Sequence, residues 1–146
     1  MTVEEIKDLL KSYRDLIEYQ EYAKEQIAEI EREKLLYMSR FGGASDGMPR
    51  APGYSDTVSA KVIASMQKYD SEIHSYQRGI SQSAERLSLI RRLLRLLPAR
   101  NAQILRQHYC LGHTWEAVAQ RYHYSVDGIK RLSYKNLAYL SQKNRG

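Results

Sequence analysis

Apolar residues recur at alternating spacings of three and four along two long stretches of the chain. The first runs through Ile6, Leu9, Tyr13, Leu16, Gln20, Ala23, Ile27, Ile30, Lys34 and Tyr37, with no Pro or Gly from Thr2 to Phe41. The second runs through Val62, Met66, Tyr69, Ile73, Tyr76, Ile80, Ser83, Leu87, Ile90, Leu94 and Leu97, and Pro98 closes it. A repeat of this kind puts one apolar seam along a helix, the pattern of a coiled coil. At a rise of 1.5 Å per residue each helix would be roughly 50–60 Å long, so the two are matched for pairing. Between them, residues 41–56 hold half of the eight glycines and two of the three prolines. No regular element is expected through that many breakers, and Ser55 or Asp56 is placed to cap the second helix. An antiparallel hairpin is the simplest outcome, although seams this long can also assemble between subunits.

Gln20, Lys34 and Ser83 interrupt the seams. A polar seam residue can fix register or oligomer state, or it can mark a widened spot where a lysine stem lies on the seam and its ammonium reaches water. Tyr13, Tyr37, Tyr69 and Tyr76 read as packing residues with a wet hydroxyl rather than as a platform for stacked bases.

Past Pro98 the long repeat gives way to short helices with tight joints. Ala99 to Leu111 forms the first, with Ile104, Leu105, Tyr109 and Cys110 inward, and Gly112 offers the left-handed conformation that often ends a helix. Thr114 is placed to cap a second helix whose buried face is Trp115, Val118 and Ala119. Gln120 to Tyr124 reads as the turn. Ser125 would cap a third helix with Ile129, Leu132, Leu137 and Leu140 facing in. The phase leaves Val126, Asp127, Lys130, Arg131, Tyr134 and Lys135 outside. A short helix, a small inward residue at Ala119, a brief turn and a longer helix is helix-turn-helix spacing. Such a motif presents the start of its second helix to the DNA major groove. The candidate DNA-contacting set is therefore Thr114 and Ser125 at the helix starts, with Val126, Asp127, Lys130, Arg131, Tyr134 and Lys135 on the exposed face. Lysine and arginine can reach guanine or phosphate, and aspartate can accept from cytosine. Gly128 stands out, because glycine within a helix costs about 1 kcal/mol relative to alanine; it suits either a close approach of the backbone to DNA or a tolerated defect.

Charge sharpens this picture. The 146 residues carry a formal net charge of +6. Residues 1–85 hold 11 Lys/Arg against 15 Asp/Glu, a net of −4, whereas residues 86–146 hold 12 against 2, a net of +10. A basic module segregated at one end is the footprint of a phosphate-backbone binder. Apolar residues make up 42% and charged residues 27% of the chain, an ordinary globular balance. No run is apolar enough to span a membrane and Met1–Lys11 lacks the layout of a secretory signal, so a cytoplasmic protein with no membrane partner is expected. The lone cysteine, Cys110, suits a reducing compartment.

Other chemistry finds little support. His108, Cys110, His113 and His123 come nearest to a ligand set but lack the paired spacings of zinc sites. Cys110 lies on a packing face, which argues against a nucleophile. The Gly-rich joint lacks the Gly-Lys-Ser/Thr ending of a phosphate-binding loop. No enzyme activity, metal or cofactor is expected.

The stretches Leu97-Pro98-Ala99-Arg100, Ile104-Leu105-Arg106, Tyr109, Gly112-His113-Thr114-Trp115-Glu116-Ala117-Val118-Ala119 and Ser125-Val126-Asp127-Gly128-Ile129-Lys130-Arg131 closely resemble region 4 of sigma-70-type factors, over about residues 97–142. Asp46-Gly47-Met48-Pro49-Arg50 and Tyr54-Ser55-Asp56 extend the resemblance to small phage proteins that join this module to a helical hairpin, similar in layout to the ArpU and RinA late-gene activators. The resemblance implies contacts to promoter bases and backbone from Asp127, Lys130 and Arg131. Val126 and Gly128 occupy positions usually polar or basic in that family, so it implies no particular base preference. Nothing matches the polymerase-binding and promoter-melting region of a complete sigma factor.

The expectation is an all-α protein: a long antiparallel helical hairpin over residues 1–97, jointed at 41–56, followed by a sigma region 4-like helix-turn-helix over 98–146. Its expected function is sequence-specific transcription regulation of phage type in a bacterial host cell. Its partners would be double-stranded DNA, RNA polymerase as a further candidate, and a second copy of itself, a dimer being favoured. A DNA-packaging recognition subunit of the small-terminase kind joins the same two parts, and in a structural or scaffolding coiled-coil protein the C-terminal helices would serve protein contacts only.

Overall fold

In the computed structural model the backbone is described for residues 1–42 and 54–144, and side chains for 1–41 and 59–144. Among these residues every regular element is helical: α1 (Val3–Lys11), α2 (Tyr13–Tyr37), α3 (Tyr54–Arg95), α4 (Ala99–Leu105), α5 (Trp115–Tyr122) and α6 (Val126–Lys143), with π-helical turns at Met38–Gly42 and Arg106–Cys110. Most of the joint read at 41–56, including Asp46-Gly47-Met48-Pro49-Arg50, lies outside the described residues, as do the side chains of the candidate caps Ser55 and Asp56. No described helix is long and apolar enough to cross a membrane.

Every position of the two heptad seams within the described side chains is buried or half-buried, while Leu35 and Ile63, off the seam, are more than half exposed. The first helix is not continuous, however. It breaks at Ser12, whose Oγ donates to the Leu9 carbonyl at 2.6 Å. A serine that bonds back to its own helix competes with the backbone ladder and bends it, a local effect that seam periodicity does not register.

The chain forms two compact units, one of residues 19–82 and one of residues 1–18 with 83–146. In the first, α2 and α3 run antiparallel. Gln20 Nε2 donates to the Ile80 carbonyl at 3.5 Å, the Tyr22 and Tyr76 rings meet edge to face at 6.1 Å, Lys34 pairs with Asp70 at 2.6 Å, and Tyr37 meets Tyr69 at 6.0 Å. Two of the polar seam residues thus bridge the helices, and Lys34 ends on a carboxylate. Gly79 sets the close approach: a Cβ there would fall 1.9 Å from the Tyr19 hydroxyl, so the tyrosine ring lies where any other residue would place its side chain.

The second unit is built on a core that ignores the division at residue 97/98. Ile6, Leu9 and Leu10 of α1, Leu87, Ile90 and Leu93 of α3, and Leu97 share one buried cluster with Leu105, Cys110, Leu137 and Leu140. After Pro98, α4, the π-helical turn and α6 therefore share this core with α1 and the end of α3. Two polar ties support this packing. Arg14 donates to the Leu111 carbonyl, and Ser141 Oγ donates to the Met1 carbonyl at 2.7 Å.

Candidate nucleic-acid interface

A second, smaller cluster holds the last three helices to one another. Ile104 of α4, Val118 and Ala119 of α5 and Ile129 of α6 are buried together, with Trp115, Tyr122, Val126 and Leu132 packed around them. Ala119, 3% exposed, is the small residue that lets α5 and α6 cross closely. The rod from Ala99 continues past Leu105 as a π-helical turn closed by Leu111 N–H donating to the Arg106 carbonyl at 2.9 Å. Gly112 ends it with φ of 76°, the left-handed conformation expected there. From this turn His108 stacks on Trp115 with ring centroids 3.6 Å apart, and Gln107 Nε2 donates to the Tyr122 hydroxyl at 3.3 Å. The π turn thereby orients α5 at both of its ends.

Both helix starts are capped as their residue types suggest. Thr114 Oγ1 accepts from the Ala117 amide at 3.1 Å and Ser125 Oγ from the Gly128 amide at 3.0 Å. Each hydroxyl keeps its own proton for an outside acceptor. The joint differs from the reading of Gln120 to Tyr124 as turn: α5 continues to Tyr122, and the chain reverses through His123, Tyr124 and Ser125. His123 carries φ of 62°, a conformation usually left to glycine or asparagine, so composition gave no sign of it. It is held by a Schellman pair, with Tyr124 N–H on the Ala119 carbonyl at 2.9 Å and His123 N–H on that of Gln120 at 3.4 Å. Arg100 braces the same turn. It donates to the Tyr122 carbonyl at 2.7 Å, and its guanidinium lies 5.4 Å from the Tyr124 ring centroid. Sequence reasoning gave Arg100 no role, because nothing local links it to a turn more than twenty residues on.

Along α6, Asp127, Lys130, Arg131, Tyr134 and Lys135 are all exposed, Tyr134 at 62%. The first four follow the i, i+3, i+4, i+7 spacing of one helical stripe, and Lys135 flanks it. Among the described residues none of the three cations has a carboxylate within 4.0 Å. Val126 departs from the expected set, being half-buried against the Ile104–Ile129 cluster, because the first turn of α6 tilts its side chain back toward α5. Gly128 has a local explanation: a Cβ there would sit 2.8 Å from Ser125 Oγ, so the residue leaves room for the cap.

The remaining chemistry is quiet. Among the described residues no three His, Cys, Asp or Glu side chains gather as metal ligands. Cys110 is buried, and its thiol pKa is pushed up to about 11 by that burial, which keeps it protonated. His108 is occupied by its ring stack and by a 2.7 Å contact of Nδ1 with the His113 carbonyl. No protein-family model matches the chain, and neither a curated protein nor a solved structure matches it.

Proposed function

We propose that α5, the His123–Ser125 turn and α6 form a helix-turn-helix that reads duplex DNA, and that the protein is a sequence-specific transcription regulator of phage type with a sigma region 4-like reader. The observation that carries this reading is the set of cations on α6: Lys130, Arg131 and Lys135 are exposed and, among the described residues, have no carboxylate within 4.0 Å, on a helix whose start is capped. In this reading α6 enters the major groove by its N-terminal half. Arg131 and Lys130 meet base edges or phosphates, Asp127 discriminates among bases, and Thr114 and Ser125 offer hydroxyl protons to the backbone. The net of +10 on residues 86–146 supplies the attraction that holds the module to any duplex before it finds its site. The acidic hairpin is the part left to pair with a second copy or to contact RNA polymerase.

Selection of bound sequences from random duplex DNA by the purified protein tests the reading. The expected result is an enriched motif, with half-sites spaced by about one helical turn if a dimer binds. Affinity for an unselected duplex should fall by orders of magnitude when salt rises several-fold. No enrichment, together with no salt-sensitive binding, removes DNA as the partner.

A further inference from the structure

Within the unit of residues 1–18 and 83–146, the end of α3, the start of α2 and the α4 rod border an open cleft of about 540 Å³. Ile90, Leu94, Ala102 and Cys110 give it an apolar lining, and Arg91, Arg95 and Arg106 also line it. Among the described residues no aspartate or glutamate does. The arginines are exposed, and among the described residues none has a carboxylate within 4.0 Å. Arg91 and Arg95 stand one turn apart on α3, whereas Arg106 comes from the facing rod, so cations are supplied from both walls. This volume lies in the range of small-molecule sites, which join an apolar body to a few orienting polar groups. Guanidinium forks are matched in shape to carboxylates. A DNA phosphate would use the arginines but gain nothing from the apolar lining.

We infer that this cleft binds a small amphipathic carboxylate, its apolar body against Ile90, Leu94, Ala102 and Cys110 and its head among Arg91, Arg95 and Arg106. The site is independent of the α6 face and stands whether or not that face binds DNA.

Calorimetric titration of the full chain with dodecanoate, below its micelle concentration, tests this. One molecule per chain is expected, with dodecanol and dodecyltrimethylammonium at least tenfold weaker. Arg106→Gln and Arg95→Gln should each weaken dodecanoate several-fold, as should Ala102→Leu, which narrows the cleft at its apolar wall. Should Ala102→Leu not fold, a nitroxide-tagged dodecanoate locates the site in the unaltered protein. It should broaden the amide signals of Ala102 and Cys110 before those of Val118 and Ile129. Absence of binding, equal binding of the alcohol, or broadening first at Val118 and Ile129 would overturn the assignment. So would an acidic helical peptide that binds the chain through these arginines where dodecanoate does not.

Discussion

Replacing Leu10 by alanine tests whether the first and last helices share one core. Leu10 is 0% exposed and lies in the same cluster as Leu137 and Leu140. The change removes three carbons, at about 0.8 kcal/mol each for transfer out of water, so roughly 2.4 kcal/mol is lost before any void is counted. The void adds more in proportion to its volume, and leucine-to-alanine changes at such sites span about 2–5 kcal/mol. A loss of about 3 kcal/mol is expected, in a unit whose melting temperature moves by about 4–8 °C per kcal/mol. Trp115 is the chain's single tryptophan and sits in this unit, so urea unfolding followed by its fluorescence reports on unfolding of the unit. Hydrogen exchange at the Leu137 and Leu140 amides should accelerate in step with that loss. Leu35→Ala, at a site 66% exposed, serves as a control that should cost less than about 0.5 kcal/mol. The reasoning fails if Leu10→Ala costs less than about 1 kcal/mol, or if exchange accelerates in α1 while Leu137 and Leu140 keep their protection.

Three further outcomes are expected. On the selected DNA site, Arg131→Ala should weaken binding by about 1–3 kcal/mol if it reaches a base, read by gel shift or anisotropy; an unchanged affinity and footprint takes Arg131 off the reading face. Gly128→Ala should be nearly neutral in the unaltered protein, because a helix-propensity gain of about 1 kcal/mol is offset by disturbing the Ser125 cap, but should stabilise by about 1 kcal/mol in a Ser125→Ala background. Additive effects in that double-mutant cycle would break the link between the two residues. Burial holds the His108 pKa below its ordinary value of 6.5, outweighing the His113 carbonyl, which favours the protonated form. The unfolded chain therefore takes up a proton at a higher pH than the folded chain, so stability is complete above about pH 6.5 and is lost as pH falls through the window below it. Urea midpoints at pH 7.5 and 5.5 should show the drop, and His108→Gln should reduce it.

The heptad register was legible because it depends only on spacing. A seam position is shielded whichever helix covers it, so Ile30 and Leu87 could be placed inside before any partner was known. For the same reason the partner was not legible. Ile6 and Leu9 continue the seam of Ala23 and Ile30 without a change of pattern, yet they pack in the unit that contains α6. The caps at Thr114 and Ser125 and the left-handed Gly112 could be read because residue chemistry and local geometry agree there. The bracing of the His123 turn by Arg100 and the half-burial of Val126 against the cluster of Ile104 depend on neighbours distant in sequence, to which periodicity is blind. Gly79 and Gly128 are explained only by the side chains that occupy their missing Cβ positions.

The tie between Met1 and Ser141 joins residues 140 apart in sequence, and this bears on how the protein is made. During synthesis α1 emerges well before the leucines of α6 that share its core with Ile6 and Leu10. The α2–α3 pairing, complete by Gln82, can form well before that. Until α6 has emerged the nascent chain should therefore hold a finished hairpin and an uncovered apolar helix, and closing so long a loop should make this unit the slower of the two to fold.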